Sequence, residues 1–305
     1  MNNLITDIKN LELETIKNLR NSKSANTLRA YQSDYNDFSL FCSKNGFQAM
    51  PTQPKILALY LTHLSSYSKY STLKRRLASI SILHKTKGFY IDMKHPIIME
   101  NLMGIKRING SNQKSKKPLL INDLKVLIEA IHKSKEKDFR KTRDKALVLI
   151  GFSGGFRRSE LVDVEYEDIE FVSEGVKIFV KRSKTDQSGE GMTKAIPYFD
   201  NKNFCPVKSL KNWIELSELK KGKIFNISDK SVALIIKKYA NYAGLDGHRY
   251  AGHSLRSGFA TSTAESGAEE RNIMAMTGHK STEMVRRYIK EANLFKNNAL
   301  NKIKF

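Results

Sequence analysis

Cysteine is almost missing from this sequence: only Cys42 and Cys205 occur. They lie far apart and at no metal-ligand spacing, which excludes a disulfide framework and a cysteine-built metal site. A single bridge remains possible, but two free, inert packing thiols are expected. Long apolar runs are also missing, and nothing approaches the ~18 residues that a membrane span needs. The amino terminus opens Met1-Asn2-Asn3-Leu4 and carries acidic residues within its first fifteen positions, so it does not read as a secretory signal. There are no internal repeats, no hydrolase triad and no clustered carboxylates.

Negative charge is scarce as well. Asp and Glu number 31 against 53 Lys and Arg, a net charge of +22 over 305 residues. Such a surplus repels itself, and its natural complement is a polyanion or an anionic membrane surface. An enzyme whose only partner is a small neutral molecule fits poorly. The excess is spread along the chain: 16 basic against 7 acidic side chains in residues 1–110, and 37 against 24 in the rest. No isolated tail carries the charge.

At roughly 150 residues per domain the length suggests two domains. Leu28, Tyr31, Tyr35, Phe38 and Phe41 repeat at three and four, which predicts a helix over 24–45 with Ser24 as N-cap, Gly46 as its stop and both tyrosines in a core. Further helices are expected around Ile56–Leu64 and over 71–87. In the second of these, Lys74, Arg75 and Arg76 surround an apolar stripe and are candidate phosphate contacts. Residues 106–118, KRINGSNQKSKKP, have almost no apolar content and read as a basic linker, with Lys106 and Arg107 at its head. Helical patterns return at 121–132 and 143–150. Alternation at Val176, Ile178 and Val180, followed by a Gly-rich turn and Ala195-Ile196-Pro197, predicts two or three short antiparallel strands. Helices follow to the end, where residues 290–305 form an apolar-studded tail. The expected domains are a helical unit at 1–108, a linker at 109–118 and a larger unit at 119–305.

Four short boxes stand out in the larger unit: GGFRRSEL at 154–161, KRSKTDQSGEG at 181–191, GHSLR at 252–256 and TGHKSTEMVRRYI at 277–289. Taken singly, each residue has an ordinary reading. Glu160 could be a helix salt-bridge partner, His253 a cap, Tyr288 a core aromatic. Together and in this order they resemble the tyrosine recombinases, the phage integrase family. The family pattern is Gly-x-Arg-x-Ser-Glu-Leu, a hairpin Lys, His-x-x-Arg, Gly-His, and Tyr nine residues later. This chain has Gly155-Phe156-Arg157-Arg158-Ser159-Glu160-Leu161, Lys184, His253-Ser254-Leu255-Arg256, Gly278-His279 and Tyr288.

The resemblance implies a mainly α protein: a helical, SAM-like core-binding domain, then a mostly helical catalytic domain with a small antiparallel sheet. It implies that Arg157 and Arg256 clamp the scissile phosphate and that Lys184 protonates the leaving 5′-oxygen. His253 and His279 would contact phosphate or handle protons, Tyr288 would be the nucleophile, and Glu160 would brace an arginine. The chemistry is self-consistent. Guanidiniums pair bidentately with non-bridging oxygens, and a phenol needs neighbouring cations or a base to react. A phosphotyrosine keeps the bond energy for religation, so neither metal, ATP nor any other cofactor is expected.

Lys181, Arg182, Arg286 and Arg287 are further candidate DNA contacts. The implied partners are duplex DNA with inverted-repeat core sites, self as a dimer on one site and a tetramer in synapsis, and an accessory DNA-bending protein. The two domains would clamp the duplex, and the C-terminal tail would dock on a neighbouring protomer. Strand exchange through a 3′-phosphotyrosine and a Holliday junction is implied. The expected setting is integration and excision of a phage or mobile element in a cytoplasmic, nucleoid-associated protein without an arm-binding domain. Xer-type dimer resolution, type IB topoisomerase-like relaxation and a catalytically silent DNA-binding accessory are the alternatives.

Overall fold

The computed structural model describes residues 8–110, 115–181, 190–292 and 299–303. The chain forms two compact units, Met1–Lys114 and Ser115–Phe305.

Five helices build the first unit: α1 (Ile8–Asn21), α2 (Ala25–Lys44), α3 (Pro54–Ser65), α4 (Tyr70–Thr86) and α5 (Pro96–Asn109). Ser24 caps α2 by accepting the Thr27 N–H. Pro54 and Pro96 stand in the first turns of α3 and α5, where a missing N–H is harmless. The core gathers Phe38 and Cys42 from α2, Leu57, Tyr60, Leu61 and Leu64 from α3, Leu73, Leu77 and Ile80 from α4, and Ile98, Leu102 and Ile105 from α5. The α2 stripe is narrower than its spacing suggested. Leu28 is exposed and Tyr31 and Tyr35 are only half-buried, while Asp34 is buried between them.

Asp34 is tolerated because Arg75 and Ser79 of α4 hydrogen-bond its carboxylate. Beside it, Asp37 accepts from Arg76 and from the Tyr60 hydroxyl at 2.6 Å. This corrects the reading of the α4 cluster as three phosphate contacts. Arg76 is turned inward to Asp37 and stacked 6.0 Å over the Tyr60 ring, and Arg75 is half-exposed but paired. Of the three, Lys74 is exposed and has no ion pair in the described structure.

The linker reading needs a similar correction. Lys106 and Arg107 are exposed on the last turn of α5, which runs to Asn109 beyond a buried stripe of Ile98, Leu102 and Ile105. Residues 111–114 lie outside the described residues. At the far end, the Lys117 N–H donates to the Arg249 carbonyl at 2.8 Å, its ammonium pairs with Asp123 at 2.8 Å, and Leu119 N donates to Ser254 O. Residues 116–119 are therefore docked on the second unit rather than free.

The second unit contains α6 (Ile121–Lys133), α7 (Asp138–Ser153), α8 (Arg158–Asp163), β1 (Ile169–Phe171), β2 (Gly175–Val180), β3 (Met192–Pro197), α9 (Pro206–Leu216), α10 (Asp229–Tyr242), α11 (His253–Glu265), α12 (Glu270–Thr277) and α13 (Thr282–Ala292). The C-terminal half of α7, Ala146 to Ser153, is buried throughout, as expected for a helix that is apolar all round. The strands form an antiparallel sheet in the order β1-β2-β3, with Ile178 opposite both Ile169 and Lys194. A mainly α fold with one small antiparallel sheet agrees with the sequence reading. Cys205 is free and buried, as is Cys42, whose thiol is pushed up to about 11 by burial. Half of the C-terminal tail expected to dock, residues 293–298 and 304–305, lies outside the described residues. Among the described residues no helix is long and apolar enough to cross a membrane.

Candidate active site

Three segments of the second unit converge. The first is the turn from α7 into α8. Gly155 sits at φ +55, a left-handed conformation that glycine adopts freely. There the chain reverses closely against Phe259 and Thr277, which a Cβ would meet at 2.9 and 3.1 Å. The turn delivers Arg157, while its neighbour Arg158 points away to pair with Asp229 at 3.1 Å. Glu160, 4% exposed, accepts from the Arg157 backbone N–H at 3.0 Å and from its guanidinium at 2.5 Å. One carboxylate thus closes the first turn of α8 and aims the side chain.

The second segment is the start of α11. Gly258 lets this helix lie against residue 119; a Cβ there would stand 1.9 Å from the Leu119 carbonyl oxygen. Arg256 is fully buried. Its Nη1 donates to Gly155 O at 3.0 Å and to Thr277 O, while Nε and Nη2 have no hydrogen-bond partner among the described residues. A buried guanidinium left half unpaired is costly unless an anion completes it. Burial and the nearby Arg157 pull its pKa down to about 10, which keeps it charged at neutral pH.

The third segment is the turn between α12 and α13. Gly278 ends α12 in the left-handed conformation, with its N–H on Met274 O at 2.7 Å. The Thr277 hydroxyl donates to Ile273 O at 2.6 Å and lies 2.8 Å from His279 Nδ1. Its single proton is committed to the carbonyl, so Nδ1 is the donor to Thr277 and Nε2 carries the lone pair. Burial, then Arg256, Arg157, His253 and Lys194, push the His279 pKa down to about 4. From α13, Tyr288 packs its ring with Ala260, Ala264, Ile273 and Val285 and is 7% exposed. Its hydroxyl reaches 3.4 Å from His253 Nε2, and its ring centroid lies 6.2 Å from that of His279. His253 keeps an exposed edge, yet desolvation by its surroundings, then Arg256 and Arg157, lower its pKa. Both imidazoles are therefore neutral at pH 7 and able to accept a proton.

Of the residues named from sequence, Arg157, Glu160, His253, Arg256, His279 and Tyr288 come together here. Lys184 and Arg182 lie outside the described residues. Lys181 is not a free DNA contact: it pairs with Glu165 and with Asp168 at 2.9 Å at the root of the β2–β3 hairpin. Arg286 and Arg287 are exposed on α13, with Arg286 3.3 Å from Glu270. Sequence reasoning missed Thr277, which orients His279, and Lys194, a fully buried cation beside the arginines. The signal for Lys194 was present, since strand alternation puts it on the inward face with Ile196. Among the described residues no group of three or more His, Cys, Asp or Glu is arranged to hold a metal ion.

Residues 119–294 match the phage integrase family, more than half of the chain. The chain belongs to the phage integrase family. An integrase/recombinase xerD homolog from Selenomonas ruminantium is 41% identical, over 98% of this chain and 91% of that protein. Among solved structures, the fold is shared with a XerH site-specific recombinase bound to a palindromic difH substrate in a post-cleavage complex. That match has a TM-score of 0.64 and 19% identity, and covers 86% of this chain and 77% of that one. A lambda integrase dimer bound to a COC′ core site gives a TM-score of 0.59 and 18% identity, covering 96% and 98%. For this integrase-family chain, three of the four boxes read from sequence, at 154–161, 252–256 and 277–289, are the three converging segments; the box at 181–191 lies mostly outside the described residues.

Proposed function

We propose that this chain is a site-specific tyrosine recombinase that cleaves, exchanges and religates DNA strands through a 3′-phosphotyrosine at Tyr288. The observation that carries the proposal is the buried Arg256, with Nε and Nη2 unpartnered among the described residues, next to Arg157 and a tyrosine hydroxyl 3.4 Å from a neutral histidine. In this reading Arg157 and Arg256 bind the non-bridging oxygens of the scissile phosphate and stabilise the extra charge of the pentacoordinate state. His253 Nε2 accepts the Tyr288 proton as the phenol oxygen attacks phosphorus. Lys184 gives a proton to the departing 5′-oxygen. Phosphate arriving near His279 raises the pKa of its imidazole and draws a proton onto Nε2, which then donates to a phosphate oxygen. Reversal by a 5′-hydroxyl of another strand religates the DNA. The cations and neutral histidines of the site supply the charge stabilisation and proton transfers, so the proposed reaction needs neither metal nor ATP.

The substrate is duplex DNA with inverted-repeat core sites. The chain acts on it as a dimer per site and a tetramer in synapsis, with the C-terminal tail as a contact between protomers. Lys74, Lys106 and Arg107 of the first unit and Arg286 and Arg287 of the second are the surface cations proposed to hold phosphate. The XerD-named relative favours dimer resolution as the biological setting at least as strongly as mobile-element integration and excision. A plasmid with two identical sites in direct repeat, resolved to monomers, supports the first setting. Joining of two non-identical sites supports the second.

The test of the chemistry is a nicked suicide duplex that carries the target site. The native chain is expected to form a covalent adduct that Tyr288→Phe abolishes while DNA binding persists. Absence of any adduct from the native chain would refute the proposal.

A further inference from the structure

Lys194 has no exposed surface, and burying an ammonium needs a reason. Its Nζ donates to Gly154 O at 2.9 Å and to Met276 O, and lies 4.9 Å from the centre of the Phe156 ring. Arg256 makes the parallel pair of bonds one residue further along each segment, to Gly155 O and Thr277 O. Two buried cations from different elements therefore tie the same two segments together. One segment is the turn that aims Arg157; the other is the end of α12 that sets His279. Met192, two residues before Lys194 on the same strand face, also abuts this end: a Cβ on Gly278 would stand 2.9 Å from its Sδ.

The two ties are not equivalent. Arg256 has donors left over for an anion, whereas Lys194 points its ammonium at two carbonyls and an aromatic face. Burial pulls the Lys194 pKa down to about 8; Arg256 and Arg157 act in the same direction and Glu160 against it. The amine still donates to both carbonyls when neutral, so the tie does not depend on its charge.

Building on the recombinase reading, we propose that Lys194 is a positioning residue. It locks the arginine-bearing turn to the Gly278-His279 turn, so that Arg157, Arg256 and His279 meet one phosphate without contact between Lys194 and DNA. Lys184 at the hairpin is the lysine proposed for proton transfer; Lys194 serves geometry.

The experiment uses the full chain with Lys194→Met, which keeps length and apolar bulk but has no donor, and Lys194→Gln, which keeps an uncharged NH2 donor group on a shorter side chain. Equilibrium binding to site DNA is expected within twofold of native for both. Single-turnover adduct formation on the nicked duplex is expected to fall at least tenfold in Lys194→Met, with Lys194→Gln between it and native. The second readout is the His279 imidazole titration followed by NMR without DNA. The groups that face this ring are Arg256, Arg157, His253, Lys194 and Tyr288. Loss of the Lys194 charge is expected to move its midpoint up.

Adduct formation at the native rate by either variant, or an unmoved His279 titration, overturns the proposal. If Lys194→Met does not fold, Lys194→Gln carries both readouts. Should the native chain form no adduct at all, the recombinase reading fails, and the backbone amide shifts of residues 277–279 in the two variants then decide whether Lys194 sets the His279 turn: native shifts overturn it.

Discussion

Glu160→Gln isolates the contribution of a single buried carboxylate. The native group accepts two hydrogen bonds from Arg157, one backbone and one guanidinium, at 3.0 and 2.5 Å, and is 4% exposed. The amide has the same shape but one oxygen, so its NH2 must face one of the two donors. Whichever donor it faces, a charge-assisted hydrogen bond becomes a donor–donor contact. Such bonds contribute about 1.5–3 kcal/mol each, and the variant is expected to lose about that much stability in urea denaturation. The effect on rate follows separately. Removing a preorganised donor from a charge-stabilising site typically costs ~10²–10³ in rate. Glu160 acts through Arg157 rather than on the phosphate, so a smaller loss, about 10- to 100-fold, is expected. At 1.36 kcal/mol per decade this is ~1.4–2.7 kcal/mol of transition-state stabilisation. The assay is single-turnover adduct formation with saturating nicked duplex, with DNA affinity measured in parallel. A native rate in Glu160→Gln, or a loss that disappears at saturating DNA, would refute the view that the carboxylate aims Arg157 for chemistry.

Two further outcomes follow from the geometry. In the unfolded chain an imidazole takes its proton near 6.5, whereas folded His279 does so only near 4. Between these values the unfolded state binds more protons, so stability rises with pH from about 4 to 6.5 and this contribution is constant above. The melting temperature should therefore fall on acidification across that window, and less so in His279→Asn; equal slopes in the two proteins would contradict the assignment. Gly258→Ala gains about 1 kcal/mol of helix propensity but drives a Cβ to 1.9 Å from the Leu119 carbonyl. Net destabilisation toward the upper end of the ~1–3 kcal/mol overpacking range is expected in denaturation curves; a stabilised variant would mean that residues 116–119 are not docked on α11.

The residues that converge in the candidate site were legible in the sequence because they are written in local boxes whose spacing is set by short turns. His253 and Arg256 are one helical turn apart, and Tyr288 follows His279 across a single turn into α13. The candidate DNA contacts were less legible. Arg75, Arg76 and Lys181 look like free cations in a one-dimensional count, yet Asp34, Asp37, Glu165 and Asp168 reach them from other elements. The linker was read too early for a related reason: a basic surface face disguises a helix whose buried stripe, Ile98, Leu102 and Ile105, recurs only once per turn.

The sequence by itself determined the helical character, the placement of the small sheet, the excess of positive charge and the order of the reactive groups. These depend on composition and on periods of two and 3.6 residues, which the chain carries locally. Only the tertiary structure decided which cations are left to meet an anion and which are consumed within the protein. Charge is additive along a sequence, but its availability depends on what folding brings within hydrogen-bonding distance. Among the described residues Arg256 hydrogen-bonds only Gly155 and Thr277 and keeps two nitrogens without a partner, whereas Lys194, equally buried, is engaged by Gly154, Met276 and Phe156.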